Sequence, residues 1–189
     1  MKNILIILIA SFFCTTTSAQ VLSDSSLSKA YSLTGMRDTK MKFEQFQLKA
    51  DNDVVYNTDS LHGKITFISF WMENCLPCLA EFKSLEKLFQ KYKSNSKFQF
   101  LSFTRDPIDN IAKIKGQYGF SYPAMSMGLE EIYEHNFKMG FPIIMITDIN
   151  GNVRYLKSGG FIEEEKVEKT VSSLYYQEID RLLEMYSQN

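Results

Sequence analysis

The feature that most constrains this chain is a pair of cysteines, Cys75 and Cys78, separated by two residues. The pair follows an apolar segment, residues 64–71, which is rich in β-forming residues and long enough for a buried strand. It precedes a segment whose apolar residues recur at helical spacing, namely Phe82, Leu85, Leu88, Phe89 and Tyr92. The sequence therefore predicts a dithiol at the point where a strand ends and a helix begins.

The position of the two thiols suits redox chemistry. A helix N-terminus carries partial positive charge and unpaired N–H groups, which stabilise a thiolate relative to a thiol. Pro77 is tolerated in the first turn because its missing N–H would have had no partner there. We expect Cys75, nearer the helix end and more exposed, to attack a substrate disulfide, and Cys78 to resolve the mixed disulfide.

The competing interpretation of the cysteine pair is one half of a zinc site. A structural zinc site needs four ligands, and the sequence contains no second pair of closely spaced cysteines. Its two histidines, His62 and His135, are far apart in sequence and are interpreted as ordinary surface or loop residues. The sequence therefore favours redox chemistry and predicts no metal site.

Several motifs together resemble those of the TlpA/ResA type of thioredoxin-like thiol–disulfide oxidoreductases, which are membrane-anchored or periplasmic bacterial proteins. Phe70 and Trp71 are followed, after three residues, by Cys-x-Pro-Cys-x-x-Glu, and Gly-Phe-Pro occurs downstream at residues 140–142. Residues 61–64 match the Leu-x-Gly-Lys segment of the family. The resemblance implies an α/β, thioredoxin-like fold with a central mixed sheet flanked by helices and an N-terminal β-hairpin extension.

The resemblance also implies a role for Phe141 and Pro142. In thioredoxin-like proteins a cis-proline faces the dithiol at the start of a strand, and Pro142 matches that place. The proline would shape a groove in which the backbone of Phe141 pairs with an extended substrate segment. Phe141 is bulkier than the Thr or Val often found before this proline.

Glu81 is the third candidate catalytic residue, because the glutamate at this position of ResA-type proteins is linked to the acid–base behaviour of the thiols. The alternative is a solvated residue that favours the first turns of the helix through its charge. Trp71 is interpreted as a groove wall or a core aromatic residue, and Asn74 stands where the family commonly has tryptophan. Together with Pro77, these two residues complete the predicted substrate-binding set.

The remaining elements are predicted from periodicity and turn signals. Strand-like residues 43–48 and 54–56 flank a turn at 51–53, which indicates the N-terminal hairpin. An Asn-Gly turn joins strands 143–146 and 153–156. The other predicted elements are a strand at 98–103, a helix from 106 to between 116 and 119, an extended connection at 122–125, and helices at 129–137 and 167–186. On the first of the two middle helices, one face carries Ile108, Ile111 and Ile114. On the second, the residues spaced for burial are Leu129, Ile132, Tyr133 and Phe137.

Residues 1–20 are interpreted as an export signal. Lys2 supplies the positive end, residues 4–13 form the apolar segment, and residues 18–20 offer a small-residue cleavage site. The apolar segment is too short for a comfortable membrane span, and the alternative is an uncleaved interfacial anchor. The predicted organisation is a signal peptide at 1–20, a loosely ordered lead-in at 21–42 and a thioredoxin-like domain at 43–189.

Removal of the signal would leave two of the three cysteines, because Cys14 lies within it. Both remaining cysteines belong to one local motif, so no thiol is left for a structural disulfide, which again favours redox chemistry. Lys2 is the single charge of the signal, so 20 basic and 22 acidic residues remain, a net charge of −2. There is no basic excess that would indicate a nucleic acid partner.

The sequence therefore predicts an exported, periplasmic thiol–disulfide oxidoreductase that reduces protein disulfides and needs no cofactor. The resemblance implies disulfide-containing client proteins, apocytochrome c among them, and a membrane-embedded electron donor. One alternative, a peroxide-reducing enzyme, is disfavoured because Met72 stands where peroxiredoxins carry threonine three residues before their cysteine. The other, a redox-inactive client-binding or chaperone-like module, is disfavoured by the retention of both cysteines.

Overall fold

The structure, a computed structural model, describes residues 35–187. Its strands in chain order are β1 (Met36–Arg37), β2 (Gln47–Lys49), β3 (Val55–Asn57), β4 (Ile65–Trp71), β5 (Phe98–Thr104), β6 (Ala124–Ser126), β7 (Ile143–Thr147) and β8 (Val153–Ser158). Six strands form one sheet in the order β1-β8-β7-β4-β5-β6. Strands β2 and β3 form a separate antiparallel pair, which is the predicted N-terminal hairpin.

The helices are α1 (Leu76–Tyr92), α2 (Ile108–Tyr118), α3 (Leu129–His135), α4 (Glu164–Thr170) and α5 (Tyr176–Met185), with a 3-10 turn at Thr58–Leu61 and a π-helical turn at Val171–Tyr175. Helix α1 connects β4 to β5, which are parallel, as a crossover requires. Strand β4 pairs antiparallel with β7 on its other side. The sheet is therefore mixed, as predicted. Within residues 35–187, no helix is both long enough and apolar enough to cross a membrane.

Strand β4 separates two hydrophobic cores, because successive side chains of a strand point to opposite faces of the sheet. Ile65 and Phe67 join the core beneath α1, which also contains both cysteines. Ile68 and Phe70 join the second core, on the other face of the sheet. The second core includes a cluster of aromatic rings formed by Phe43, Phe46, Phe70 and Phe103. The dithiol thus follows a strand that is buried along its whole length, and both cysteines are part of the core beneath α1.

Strand β1 shows that part of the predicted lead-in was wrongly interpreted. It pairs antiparallel with β8 at the edge of the sheet, and Asp38 accepts a hydrogen bond from Arg154 Nε at 3.0 Å. The segment that contains β1 is therefore held in the sheet, although the sequence predicts a loosely ordered lead-in over 21–42. A strand of two residues is too short to show the alternation from which strands are predicted. Residues 1–34, which include the predicted signal, lie outside the described residues.

Two further expectations are corrected. Ala124–Ser126, predicted as part of a connection, is the edge strand β6, which pairs in parallel with β5. The predicted burial of Leu129 and Tyr133 is wrong, because these side chains are 40% and 37% exposed. Ile108, predicted on the same helix face as Ile111 and Ile114, is 41% exposed. All three lie in short helices that cover the sheet with few residues, and Ile111, Ile114 and Ile132 provide the buried contacts.

The predicted closing helix is confirmed in position but is interrupted. The interruption is a π-helical turn at Val171–Tyr175, which joins α4 directly to α5. The three segments therefore form one continuous helical element. The apolar face packs against the core beneath α1 through Val167, Val171, Tyr175, Ile179 and Leu182. This element closes the side of the sheet on which the dithiol lies.

Candidate active site

Cys75 and Cys78 form a disulfide with their Cα atoms 5.2 Å apart. Strand β4 ends at Trp71 and helix α1 begins at Leu76, so the dithiol lies at the predicted junction. Cys75 is the N-cap of α1, and its Sγ atom accepts a hydrogen bond from the Cys78 backbone N–H at 3.3 Å. The first cysteine therefore occupies the place where a helix N-terminus offers free N–H donors to an anion.

The two sulfurs differ in access to solvent. Cys75 is 6% exposed and Cys78 is 1% exposed, which agrees with the expectation that Cys75 is the more accessible of the two. Leu76, between them, is 69% exposed, and Pro77 is half-buried in the first turn. A partner that reaches the dithiol would meet the apolar side chain of Leu76 beside Cys75.

The turn before the dithiol is held by an acidic side chain that we did not predict as part of the site. The backbone N–H of Glu73 donates to Asp106 Oδ2 at 2.8 Å, and the Glu73 carboxylate accepts a hydrogen bond from Asn110 Nδ2 at 2.8 Å. Asp106 is itself buried and accepts a hydrogen bond from the Thr104 hydroxyl at 2.6 Å. Asn74 is exposed, so it remains a residue that a client could contact.

The segment that contains Pro142 meets the dithiol helix through a loop of strand β8. The peptide bond between Phe141 and Pro142 is cis, as the resemblance implied. The Pro142 carbonyl accepts a hydrogen bond from the Gly159 N–H at 2.9 Å. A β-carbon built on Gly160 would lie 3.0 Å from Pro142 Cγ and 3.3 Å from Pro77 Cβ. The two prolines, far apart in sequence, therefore converge on the same glycine.

Glu81 is buried, with 3% exposure, on the face of α1 that also carries Cys78. Burial raises the pKa of Glu81 to about 8, and the positive charge of Lys157 opposes part of that rise. The interpretation of Glu81 as a solvated helix residue is therefore wrong, since its carboxylate is shielded from water. A carboxyl group with this pKa exchanges protons in the range in which thiols also titrate.

Trp71 does not form a groove wall. Its side chain is fully buried, its Nε1 donates to Ser102 Oγ at 3.2 Å, and its ring packs edge-on against Phe82 and Phe120. The predicted substrate contact of Trp71 is therefore wrong. The reason is strand alternation, which places Trp71 on the same face of β4 as Ile65.

The histidines lie apart from the dithiol, although one of them is not a surface residue. His135 is 4% exposed, and its ring nitrogens lie 2.8 Å from the Glu131 carbonyl and 3.2 Å from the Gln45 carbonyl. Its predicted surface or loop position is therefore wrong, whereas His62 is exposed. Across the part of the chain that the structure describes, no three His, Cys, Asp or Glu side chains are grouped so that they could hold a metal ion.

Lys157 and Gly160, which approach Glu81, are two further residues that the sequence reasoning missed. Lys157 lies in β8 with 1% exposure, two residues after the buried Tyr155 and on the same face of the strand. The predicted strand 153–156 ends before Lys157, so the sequence prediction does not extend to this lysine the alternation that makes it inward-facing. Gly160 follows the predicted strand 153–156, and no local signal distinguishes it from other loop glycines.

The AhpC/TSA family model matches residues 39–155 of this chain. A curated relative, the thiol-disulfide oxidoreductase ResA of Halalkalibacterium halodurans, is 27% identical over 105 residues. That match covers 55% of this chain and 59% of the relative, so the similarity extends over little more than half of each protein.

Many solved structures resemble the described fold. A candidate protein disulfide isomerase from Bacteroides thetaiotaomicron matches with a TM-score of 0.66 and 20% identity, covering 81% of this chain and 94% of that one. A candidate thiol:disulfide interchange protein DsbE from Chlorobium tepidum matches with a TM-score of 0.63 and 20% identity, covering 76% and 99%. These likenesses establish the predicted thioredoxin-like fold. The matches confirm the resemblance to the TlpA/ResA type, and the chain belongs to the AhpC/TSA family.

Proposed function

We propose that this protein is an exported thiol–disulfide oxidoreductase that reduces disulfides of client proteins through Cys75 and Cys78. The observation that supports this most directly is the bonded cysteine pair at the start of α1, with Cys75 as the N-cap. The name of the ResA relative refers to the same activity, which we extend to this chain as part of the proposal. The convergence of Pro77 and Pro142 on Gly160 supports a client-binding role for the segment that contains Pro142.

The proposed reaction is a two-step dithiol exchange. The Cys75 thiolate attacks one sulfur of a client disulfide, which forms a mixed disulfide and releases the other client sulfur as a thiolate. The Cys78 thiolate then attacks the Cys75 sulfur, which releases the second client thiolate and closes the bond between Cys75 and Cys78. The client gains two electrons and the protein loses two. A separate donor must return two electrons before the next cycle.

Glu81 has a specific task in the second step. Cys78 is almost completely buried, so its proton cannot pass directly to bulk water. Glu81 lies one helical turn further along α1, and its carboxyl group has a pKa of about 8 because of burial. In its anionic form it accepts the proton that Cys78 loses, and it can later release that proton to solvent.

Client binding involves the segment before Pro142. Phe141 is half-buried, and the exposed Leu76 and Asn74 lie beside Cys75. An extended client segment would add its backbone hydrogen bonds along Phe141, which gives affinity without demanding one client sequence. Apocytochrome c is one client that fits this proposal.

The cellular setting is part of the same proposal. The predicted signal at 1–20 would direct the chain to the periplasm, and an uncleaved anchor would hold it at the membrane. A membrane-embedded donor would supply the electrons that restore the dithiol. Dithiol exchange requires no further cofactor.

An insulin-reduction assay tests the proposed activity. The mature protein should accelerate the reduction of insulin by dithiothreitol, and Cys75→Ala should abolish the acceleration. Cys78→Ser is the second variant to test, because it keeps the nucleophilic Cys75 but cannot resolve the mixed disulfide and so cannot complete a cycle. Hydrogen peroxide consumption is measured in parallel. Turnover of peroxide without reduction of insulin would replace the proposal with a peroxidase function, and inactivity in both assays would favour the binding module.

The direction of the reaction is tested by the equilibrium with glutathione. A reduction potential near that of thioredoxin, about −270 mV, supports a reductant. A value near about −120 mV would instead identify an oxidant of client thiols.

A further inference from the structure

Lys157 is a charged residue in a place where lysine is rarely found. Its side chain is 1% exposed, and it lies in β8 opposite Ile144 of β7, on the side of the sheet that carries the dithiol helix. Burial of an ammonium group costs several kcal/mol unless other groups compensate for the lost hydration. The function proposed above gives this residue no task, although its position is costly.

The direct contacts of Lys157 connect it to the loop formed by residues 159–161. Its Nζ atom donates a hydrogen bond to the Gly159 carbonyl and lies 5.6 Å from the centre of the Phe161 ring. Between these two residues stands Gly160, whose β-carbon, if present, would lie 3.0 Å from Glu81 Oε1. The same point would lie 3.0 Å from Pro142 and 3.3 Å from Pro77. Lys157 therefore fixes the loop that touches the dithiol helix and the Pro142 segment.

Lys157 also acts on Glu81 through space. Among the described residues, the Glu81 carboxylate has no hydrogen bond or ion pair, and Lys157 is the cation that interacts with it. Burial lowers the pKa of Lys157, and the negative charge of Glu81 opposes that change. Each of the two groups therefore favours the charged form of the other.

Among the described residues, three buried tyrosines also interact electrostatically with Glu81, and they are neutral at physiological pH. They are Tyr122, Tyr155 and Tyr175, and burial raises the pKa of each above its ordinary value. In the reduced protein, the thiols of Cys75 and Cys78 complete the set. Lys157 is thus the positive charge that can balance Glu81 within this buried group.

We propose that Lys157 is a positioning residue for the dithiol: its buried ammonium stabilises the anionic, proton-accepting form of Glu81 and holds the 159–161 loop against Pro77 and Pro142. The inference rests on the proposed function, because it gives Glu81 the proton of Cys78. In the resolving step that proton passes from the Cys78 sulfur to the Glu81 carboxylate, and the Cys78 thiolate then attacks Cys75. Without the ammonium, Glu81 stays protonated to higher pH and no acceptor is ready.

The resolving step can be measured without a known client. The reduced protein is mixed with dithiobis(nitrobenzoate), and Cys75 forms a mixed disulfide as it releases one thionitrobenzoate anion. Cys78 then attacks Cys75 and releases the second anion, whose rate is followed by stopped flow from pH 5 to pH 10. In Lys157→Met the midpoint of this pH profile should move up by about one unit or more, which lowers the rate near pH 7 about ten-fold.

Two further variants separate charge from structure. Lys157→Gln keeps an N–H donor but loses the charge, so its profile should shift like that of Lys157→Met, and it serves if the methionine variant does not fold. Lys87→Met removes an exposed lysine of α1 that pairs with Glu168, and its profile should match that of the wild type. These comparisons attribute any shift to the buried charge rather than to a general loss of positive charge.

A double-mutant comparison tests whether Lys157 acts on the resolving step through Glu81. In a Glu81→Gln background, Lys157→Met should change the profile no further, because the acceptor is already absent. An unchanged profile in both Lys157 variants, or an equal shift with and without Glu81, would overturn the inference. Insulin reduction by the wild type reports separately on the proposed function. A wild type that fails with insulin but shows the Lys157-dependent profile would refute protein reduction and leave the Lys157–Glu81 coupling established.

Discussion

Gly160 lies so close to Glu81 that a β-carbon on the glycine would be 3.0 Å from the Glu81 Oε1 atom. The same position is bounded by the rings of Pro142 and Pro77, at 3.0 Å and 3.3 Å. Proline rings cannot rotate away, and Glu81 is buried, so none of these neighbours can move at low cost. Glycine is required here because a larger side chain would not fit. Its absence of a β-carbon allows the dithiol helix, the Pro142 segment and the loop after β8 to pack closely together.

Gly160→Ala should therefore destabilise the protein and disturb the site together. The added methyl group must displace Glu81 or one of the prolines, a case of overpacking that costs about 1–3 kcal/mol. Urea unfolding measures the loss of stability, and the rate of insulin reduction measures the effect on the site.

Gly116→Ala provides the matched control. Gly116 lies inside α2, and a β-carbon there would meet no atom within 4 Å. This substitution should stabilise the protein by up to about 1 kcal/mol, because glycine is a poor helix former. Equal effects of the two substitutions would show that Gly160 is not sterically special.

Cys75 should react with an alkylating agent before Cys78. Its sulfur occupies the N-cap of α1 and accepts the Cys78 N–H, which stabilises the thiolate, and it is the more exposed of the two. The reduced protein is treated with a limiting amount of iodoacetamide below pH 7, and the labelled peptides are identified by mass spectrometry. Labelling in denaturant, where the helix is absent, should remove the preference. Faster labelling of Cys78 in the folded protein would reverse the roles assigned to the two thiols.

Cys78→Ser should trap client proteins as mixed disulfides on Cys75. Without the resolving thiol, the first exchange step leaves a covalent complex that persists until a reductant is added. The variant is expressed in the native compartment and isolated without reductant, and its partners are released with dithiothreitol. A Cys75→Ser/Cys78→Ser variant shows which partners bind without a bond. If the single variant captures no partner beyond those of the double variant, protein disulfides are not the substrate.

Glu81 should make the stability of the oxidised protein depend on pH. Its pKa in the folded protein is about 8, raised by burial from an ordinary value of 4.5. A carboxyl group with a raised folded pKa contributes stability at low pH that is lost as pH rises through the folded value. The free energy of unfolding of the wild type should therefore fall, relative to that of Glu81→Gln, from about pH 5 to about pH 8, by at most about 1.4 kcal/mol per pH unit.

Urea unfolding of both proteins over this pH range measures the difference. Both proteins are kept oxidised, so that the thiols do not titrate. A constant difference between wild type and Glu81→Gln would mean that Glu81 ionises as it does in an unfolded chain, and we would then remove it from the site.

The parts of this site that could be predicted are those that depend on local sequence. The thiols, Pro77 and Glu81 lie on one helix, whose phase follows directly from the spacing of its apolar residues. Lys157 and Gly160 could not be placed, because they approach Glu81 through the pairing of β7 with β8. That pairing shifts register by a bulge near Ile146, and no local pattern specifies which inward-facing residue then meets α1.

The same distinction explains the two clearest errors in the fold. Strand β1 is too short for a period, and its place is determined by β8, which lies more than a hundred residues further along the chain. Leu129 is predicted to be buried but is exposed. Helical spacing predicts which residues share a face, but not whether another element covers that face.

Asp51 and Lys115 anchor the N-terminal hairpin to the rest of the fold. Lys115 Nζ lies 2.6 Å from Asp51 Oδ2, with each side chain 15% exposed, and also donates to the Tyr122 carbonyl at 2.8 Å. Asp51 Oδ1 accepts a hydrogen bond from the Ala124 N–H at 2.9 Å. One ion pair thus joins the hairpin turn, helix α2 and the segment that leads into β6.

Lys115→Met should lower the free energy of unfolding by about 1–3 kcal/mol, because it leaves a largely buried carboxylate without its cation. The preference for alkylation of Cys75 should be unchanged, since neither Asp51 nor Lys115 contacts the dithiol. Lys49→Met is the matched control, because the Lys49–Asp53 pair joins residues of the same hairpin with side chains 63% and 88% exposed. Its loss should not measurably alter urea unfolding, as exposed ion pairs contribute little. If both substitutions leave stability unchanged, the hairpin is held by its apolar contacts alone and the Asp51–Lys115 pair is not an anchor.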